Sequence, residues 1–303
     1  MINVLLLGLG NIGQIHLRNL KKNKDLKIFI HDINKKLNTN LKDANISQVD
    51  NLNSFLHSQK IDVGIVATST ESHKDLSIQL LKNNIPHLIE KPVSTKSSDF
   101  EEIFKIANNK DIFVMCGFVE RFHTCVVKIK QEIKNQKILS FSSLRNSVPP
   151  DKSRKLDDVK FDVLIHDLDL FNFIVKDADI KNINIFENGE FANAVYSDKT
   201  LVGNFSANRM SHKKSRKINI ITDRFEYIVD LLEHKIIKSE HVYVKNIQDI
   251  EKPFIKVNEN IINVEPSESI YKQQEFLLKN FNYGFDKSLY NSYKFSHYST
   301  YST

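Results

Sequence analysis

Three groups of residues in this chain have the types and spacing that chemistry requires. The first is the run Gly8-Leu9-Gly10-Asn11-Ile12-Gly13. A G-x-G-x-x-G pattern asks for a tight turn at Gly8, a bare position at Gly10 where backbone can approach a pyrophosphate, and close strand–helix packing at Gly13. A helix starting near Asn11, with Ile12 in its first turn, points free N–H groups and its positive dipole end at the phosphates. Alone the pattern is weak, because a glycine-rich turn that binds nothing looks the same. Here a strand-like run precedes it, a helix-like run follows, and the next strand-like run ends in Asp32, where an acidic side chain meets the ribose hydroxyls of a bound adenosine. A carboxylate there repels a 2′-phosphate and favours NAD over NADP; Lys35 and Lys36 nearby soften that preference.

The second group is Glu90-Lys91-Pro92, closing the run PHLIEKP. Lys91 falls just past the carboxyl end of an expected parallel strand, where open α/β sheets place ligands. A partly desolvated lysine beside a nicotinamide has its pKa lowered enough to hydrogen-bond a reacting hydroxyl. Pro92 fixes the backbone beyond it, and Glu90 and Lys91 both fall at the expected cofactor. Taken alone, Lys91 reads as an exposed turn lysine.

The third group is Asp162 and His166, in FDVLIHDLDLFNFIV. Four apart on a helix, they share a face one turn from each other. A carboxylate beside an imidazole orients the ring and stabilises its protonated form, as a general base needs. The alternative is an ordinary structural i,i+4 pair. Asp169 falls near the same face in a minor, supporting role; Asp167 does not.

Other residues are less specific. Thr68 ends the run DVGIVAT, and His73, five positions on, is either a cofactor-side residue or a packing residue. Arg121, in VERF, could meet a phosphate or substrate oxygen bidentately, or equally form an ion pair. His123 reads as structural. Arg145, Lys152, Arg154 and Lys155 flank the loop before the Asp162 helix; they could answer a diphosphate or be solvated charges.

These residues need elements to hold them. The runs NVLLLG, LKIFIHD, DVGIVAT, PHLIEKP and DIFVMCG each read as a buried strand, with helix-like stretches such as Ile12–Lys22 and His73–Asn83 between them. Alternating β and α units predict a doubly wound parallel sheet over residues 1–118, the cofactor domain. Beyond it, residues 119–303 read as an α+β substrate and oligomerisation domain. A helix is expected at Val126–Asn135, then the strand KILSFSSLR, a polar loop and the Asp162 helix. From Ile180 to Val244 the runs IKNINIF, EFANAVYS, TLVGNFSAN, KINIITD, FEYIVDL, KIIKS and HVYV alternate with period two. They predict a mostly antiparallel sheet with one face free for helices or a partner. Glu268–Phe281 reads as a helix, and the tail from Asp286 gives no signal.

Composition sets the outer bounds. The 303 residues are enough for two domains, and 41% hydrophobic with 26% charged is ordinary for a globular protein. No apolar run reaches the ~20 residues of a membrane span, and the apolar start MINVLLLGLG, without a basic flank, reads as a strand rather than a signal peptide. The two cysteines, Cys116 and Cys125, suit a reducing cytoplasm and suggest neither a disulfide framework nor a metal site. The net charge of +6 comes from dispersed lysines without an aromatic-laced basic stripe, so neither nucleic acid nor membrane is an expected partner.

The glycine-rich turn, EKP, GFVERF at Gly117–Phe122 and the downstream D-x-x-x-H, in this order, resemble the Gfo/Idh/MocA oxidoreductase family over residues 1 to about 285. That family includes glucose–fructose oxidoreductase and inositol dehydrogenase. The resemblance implies an NAD-dependent dehydrogenase in which Lys91, Asp162 and His166 are catalytic and, with Arg121, bind substrate. It places Gly8, Gly10, Asn11, Ile12, Gly13, Asp32, Thr68, His73, Glu90 and Lys91 at the cofactor. The segments GFVERFHTCVVKIKQEI and FDVLIHDLDLFNFIV are similar to a subgroup containing UDP-N-acetylglucosamine 3-dehydrogenases, which makes a UDP-sugar oxidised at C3 the expected substrate, free sugars or inositols the alternative, and a homodimer or homotetramer the expected assembly. The family also holds non-catalytic dinucleotide-binding regulators. Those tend to lose the lysine or the histidine, and this chain keeps Lys91, Asp162 and His166.

Overall fold

The structure, a computed structural model, describes residues 1–34, 43–149, 156–176, 178–244 and 254–301. The chain divides into two compact units: Met1–Val119 with Glu268–His297, and Glu120–Ser267 with Tyr298–Thr303.

In the first unit, β1 (Ile2–Leu7), β2 (Leu26–His31), β3 (Ile46–Gln48), β4 (Val63–Val66), β5 (His87–Ile89) and β6 (Val114–Cys116) form one parallel sheet in the order β3-β2-β1-β4-β5-β6. Val4 to Leu7 and Val63, Ile65 and Val66 are at most 1% exposed, as strands covered on both faces must be. Helices α1 (Asn11–Leu20), α2 (Leu52–Ser58), α3 (Thr70–Lys82) and α4 (Ser97–Asn109) make the connections. The strand order turns back between β1 and β4, and the carboxyl ends at such a switch point are where this architecture binds ligands. The sequence singles out five of the six strands; β3, Ile46-Ser47-Gln48, has a single apolar residue and so shows no apolar run.

The second unit holds α5 (Thr124–Glu132), β7 (Ile138–Asn146), α6 (Ile165–Val175), β8 (Ile183–Asn188), β9 (Phe191–Ser197), β10 (Val202–Asn208), β11 (Ser215–Thr222), β12 (Glu226–Asp230), β13 (Lys235–Val244) and β14 (Phe254–Asn263). The eight strands run β14-β13-β12-β11-β7-β10-β9-β8, and every neighbour is antiparallel except β7 with β10. The inner face packs on α6: Phe171 lies 5.3 Å from Phe141, 5.2 Å from Phe205 and 4.9 Å from Tyr196, centroid to centroid. The alternation of β7 turns Phe141, Ser143 and Arg145 to that face together. Outward-facing Val195, Val202, Phe191 and Phe186 remain 38–63% exposed. Two expectations change. KIIKS and HVYV are one strand, because Glu240 keeps register with Asn258. The added edge strand β14 leaves Ile255, Val257 and Ile261 more than half exposed, so it lacks the burial signature of a sheet interior.

Helices α7 (Ser269–Asn280) and α8 (Lys287–Tyr301) end the described chain. Both contribute to the first unit, where the sequence expected all of 119–303 to form the second domain. Phe100 of α4 sits 6.1 Å from Tyr290 and 4.8 Å from His297, and Phe118 sits 5.9 Å from Tyr293. Aromatic burial against α4 explains the return. Among the described residues no helix is long and apolar enough to cross a membrane.

Candidate active site

The turn after β1 behaves as its glycines require. Gly8 has φ +94°, and a Cβ there would lie 2.6 Å from the Ala67 carbonyl oxygen and 2.9 Å from Thr68 Cγ2. A Cβ on Gly13 would meet the Gly8 oxygen at 2.1 Å. A Cβ on Gly10 would have no described atom within 4 Å. Gly8 and Gly13 therefore serve the protein's own packing, whereas Gly10 is exposed and leaves open space where a ligand's backbone-close approach has room. Gly10 caps α1 with neither a side-chain cap nor an acidic residue in the first turn, where Asn11 and Ile12 stand, leaving the helix dipole uncompensated for an anion. Asp32 holds the turn itself: its Oδ2 accepts from Leu9 N at 2.6 Å and its Oδ1 from Asn34 N at 2.7 Å. These residues fit a dinucleotide. Lys35 and Lys36 lie outside the described residues.

Thr68 stands beside this turn, its Oγ1 accepting from Ser72 at 2.8 Å. His73 is 1% exposed, with Nδ1 2.9 Å from the Pro92 oxygen and Nε2 3.1 Å from the Thr68 oxygen. Of its two expected roles, packing is the one the geometry favours: it ties the end of β4 to the turn after β5. Lys91, half-buried, stands two residues past the end of β5, and the Lys91–Pro92 peptide is cis. Glu90 is 6% exposed. It turns inward, with Oε1 2.8 Å from His16 Nε2 and Oε2 accepting Lys91 N at 3.2 Å. Glu90 is thus a buried brace rather than an open cofactor ligand. Sequence reasoning passed over His16.

In the second unit, a π-helical turn at Lys160–Leu164 leads into α6; such turns recur at functional sites because they re-aim side chains. Across residues 159–172 every side chain is buried except Asp162 and His166. Both are half-buried. Asp162 Oδ2 also meets Arg209 Nη1 at 3.2 Å, while Arg209 Nε donates to Glu190 at 2.5 Å. Nothing in the local sequence pointed to Arg209, the residue immediately after β10.

The buried carboxylates of α6 are clamped by arginines. Arg121 donates from Nε and Nη2 to Asp169 at 2.7 and 2.5 Å, both side chains at most 6% exposed. The ion-pair alternative holds for Arg121, in place of the substrate contact. Arg145, expected to flank a loop, is 3% exposed; it donates bidentately to Glu120 at 2.7 and 2.5 Å and to Asp167 Oδ1 at 2.8 and 3.0 Å. Burial pushes the Glu120 carboxyl up, but Arg145 and the nearby His166 outweigh it and hold it well below the usual range. Asp167, with only one oxygen on Arg145, is raised by burial. Lys152, Arg154 and Lys155 lie outside the described residues.

His123, Cys125 and His234 bring one ligand-type atom each within 4.8 Å of one another. His123 Nδ1, however, accepts from Cys125 N at 3.2 Å and caps α5, and burial pushes the Cys125 thiol up to about 11. A ring whose lone pair caps a helix, beside a protonated thiol, is an arrangement for structure.

Residues 2–118 match the model of an oxidoreductase family with an NAD-binding Rossmann fold, Gfo/Idh/MocA. The chain is 27% identical over 178 residues to myo-inositol 2-dehydrogenase of Thermotoga maritima, covering 56% of this chain and 53% of that protein. It is 23% identical over 195 residues to UDP-N-acetylglucosamine 3-dehydrogenase of Acidithiobacillus ferrooxidans, covering 61% and 59%. The match thus spans little more than half of each of these relatives. A solved structure of UDP-N-acetylglucosamine 3-dehydrogenase from Acidithiobacillus ferrooxidans shares the fold with a TM-score of 0.80 at 15% identity, covering 99% of this chain and 96% of that one. The strand order, the glycine turn and the model match agree: residues 2–118 form a Rossmann fold similar to the NAD-binding one of the Gfo/Idh/MocA oxidoreductase family.

Proposed function

We propose that the chain is an NAD-dependent dehydrogenase of a sugar-type secondary alcohol, with a UDP-sugar oxidised at C3 as the leading substrate. The observation that carries this reading is that Asp162 and His166 are the two residues not fully buried between positions 159 and 172. Apolar burial supplies no reason for a carboxylate and an imidazole there; proton transfer does. Bound at the glycine turn, NAD supplies the hydride acceptor. The chain's residues do the rest. Gly10 and the start of α1 take the pyrophosphate, and Asp32 selects the ribose. His166 takes the hydroxyl proton, and Asp162 orients the ring and steadies its cation. Lys91 hydrogen-bonds the substrate oxygen. The dehydrogenases named above, one of an inositol and one of a UDP-sugar, support both substrate classes. The half-exposed apolar residues on the outer face of the eight-stranded sheet support a homo-oligomer.

The test is NADH formation against UDP-N-acetylglucosamine, other UDP-sugars, free sugars and myo-inositol, alongside Lys91→Ala and His166→Ala. Turnover of one panel member, lost in both variants, is the expected result. Turnover that survives both substitutions overturns the catalytic assignment. NADH binding without turnover of any panel member favours the non-catalytic regulator.

A further inference from the structure

The segment from Glu90 to Val93 is braced by three imidazoles from three helices. His16 of α1 meets Glu90, His73 of α3 meets the Pro92 oxygen, and His297 of α8 accepts Val93 N at 3.0 Å. All three are at most 1% exposed. Rings this buried fix whatever they touch, because a lost partner leaves a desolvated polar atom.

The His16 arm can be assigned proton by proton. Gln274, on α7 and 3% exposed, places its Nε2 3.0 Å from the His16 carbonyl oxygen and 3.0 Å from His16 Nδ1. A carbonyl oxygen only accepts, so the amide group facing it is the NH2. That NH2 also faces Nδ1, which must therefore accept. The ring proton is then on Nε2, and Nε2 donates to Glu90 Oε1 at 2.8 Å. The other oxygen, Oε2, accepts the Lys91 backbone N–H at 3.2 Å. Space for this carboxylate is reserved: a Cβ on Gly117 would lie 2.5 Å from Oε2.

We propose that Gln274, His16 and Glu90 form a hydrogen-bonded clamp that sets the position of Lys91 relative to the dinucleotide helix α1, making His16 a positioning residue. The clamp couples two things a hydride-transfer site must keep in step. α1 begins at the phosphate turn, and Lys91 follows the braced carboxylate by one residue. A shift of α1 is transmitted through one imidazole to the lysine. The proposal rests on the reading of Lys91 as the group that meets the substrate oxygen.

Four variants test it: His16→Phe, which keeps the ring's bulk without a donor; His16→Gln, whose amide N–H can reach Glu90; Gln274→Leu; and Lys91→Ala. In His16→Phe kcat should fall about tenfold or more while KM for NAD stays within about threefold, since displacing a reacting group costs rate rather than affinity. His16→Gln should recover most of the loss, which a merely space-filling role would not permit. A substrate-free readout is the NMR signal of the Lys91 amine after reductive 13C-methylation, assigned by its absence in Lys91→Ala. It should move in His16→Phe and Gln274→Leu and return in His16→Gln. A folded His16→Phe with unchanged kcat and an unmoved Lys91 signal overturns the clamp. If that variant does not fold, Gln274→Leu carries the same two readouts. If no substrate is turned over, the amine signal alone decides. Turnover surviving in Lys91→Ala sinks the reading of the lysine and leaves the clamp to be judged by that signal.

Discussion

The Arg121 guanidinium grips Asp169 through two parallel hydrogen bonds, Nε to Oδ2 at 2.7 Å and Nη2 to Oδ1 at 2.5 Å, with both side chains buried. The pair fastens the VERF turn to the helix carrying His166. Removing one partner of a buried pair strands the other charge, so Arg121→Ala should lower the free energy of unfolding by about 3–5 kcal/mol. Replacing both, as Arg121→Met with Asp169→Leu, should recover much of that. Urea unfolding of the three proteins measures it; a single-variant loss below about 1 kcal/mol contradicts the assignment.

Asp32 does two jobs. Its oxygens hold Leu9 N and Asn34 N, and in the proposed reading its charge faces the ribose 2′ position. Asp32→Ser should raise the ratio of NADP to NAD in kcat/KM by about tenfold or more, by removing the like charge. It should also cost about 1 kcal/mol of stability for the weakened turn. An unchanged cofactor ratio would mean that the residue serves the turn alone.

How much of this was legible beforehand depends on how each element buries itself. The strands β1, β2, β4, β5 and β6 are continuous apolar runs, and such runs read directly. Asp162 and His166 drew notice through their four-residue spacing, and the structure leaves both half-buried. α8 was not. Its buried face includes Ser296, His297, Ser299 and Thr300, all 0% exposed, so no apolar period marks it. Arg145 was misread, and Arg121 left between two roles, for a related reason: sequence gives a charge but not its partner, and Asp169, Asp167 and Glu120 lie up to 48 positions away. His16 lies three residues past the motif that was recognised, but its partners Glu90 and Gln274 are 74 and 258 residues off.

His87 gives the fold an acid limit. It is fully buried at the start of β5, with Nε2 2.6 Å from Ser77 Oγ, and burial pushes its pKa down from 6.5 to about 4. The unfolded chain takes up a proton near pH 6.5, while the folded chain resists until about pH 4. Stability is therefore complete above the higher value and falls as pH drops through the window between them. Between pH 7.5 and 4.5 the wild type should lose roughly 2–3 kcal/mol more than His87→Gln, which cannot charge. Equal losses in urea titrations at the two pH values would remove His87 as the cause.

Gly10 and Gly13 can be separated by one methyl group each. A Cβ at Gly13 would stand 2.1 Å from the Gly8 carbonyl oxygen, which is backbone and cannot step aside, whereas a Cβ at Gly10 would have no described neighbour within 4 Å. Gly13→Ala should therefore damage the fold itself, lowering the melting temperature by several degrees with or without ligand. Gly10→Ala should melt within about two degrees of wild type yet bind NADH at least about tenfold more weakly, because its methyl group occupies the space the pyrophosphate needs. Thermal melts and NADH fluorescence titrations on the two variants measure both effects. The dinucleotide assignment fails if Gly10→Ala binds NADH as the wild type does, since that methyl group points only at the space assigned to the ligand.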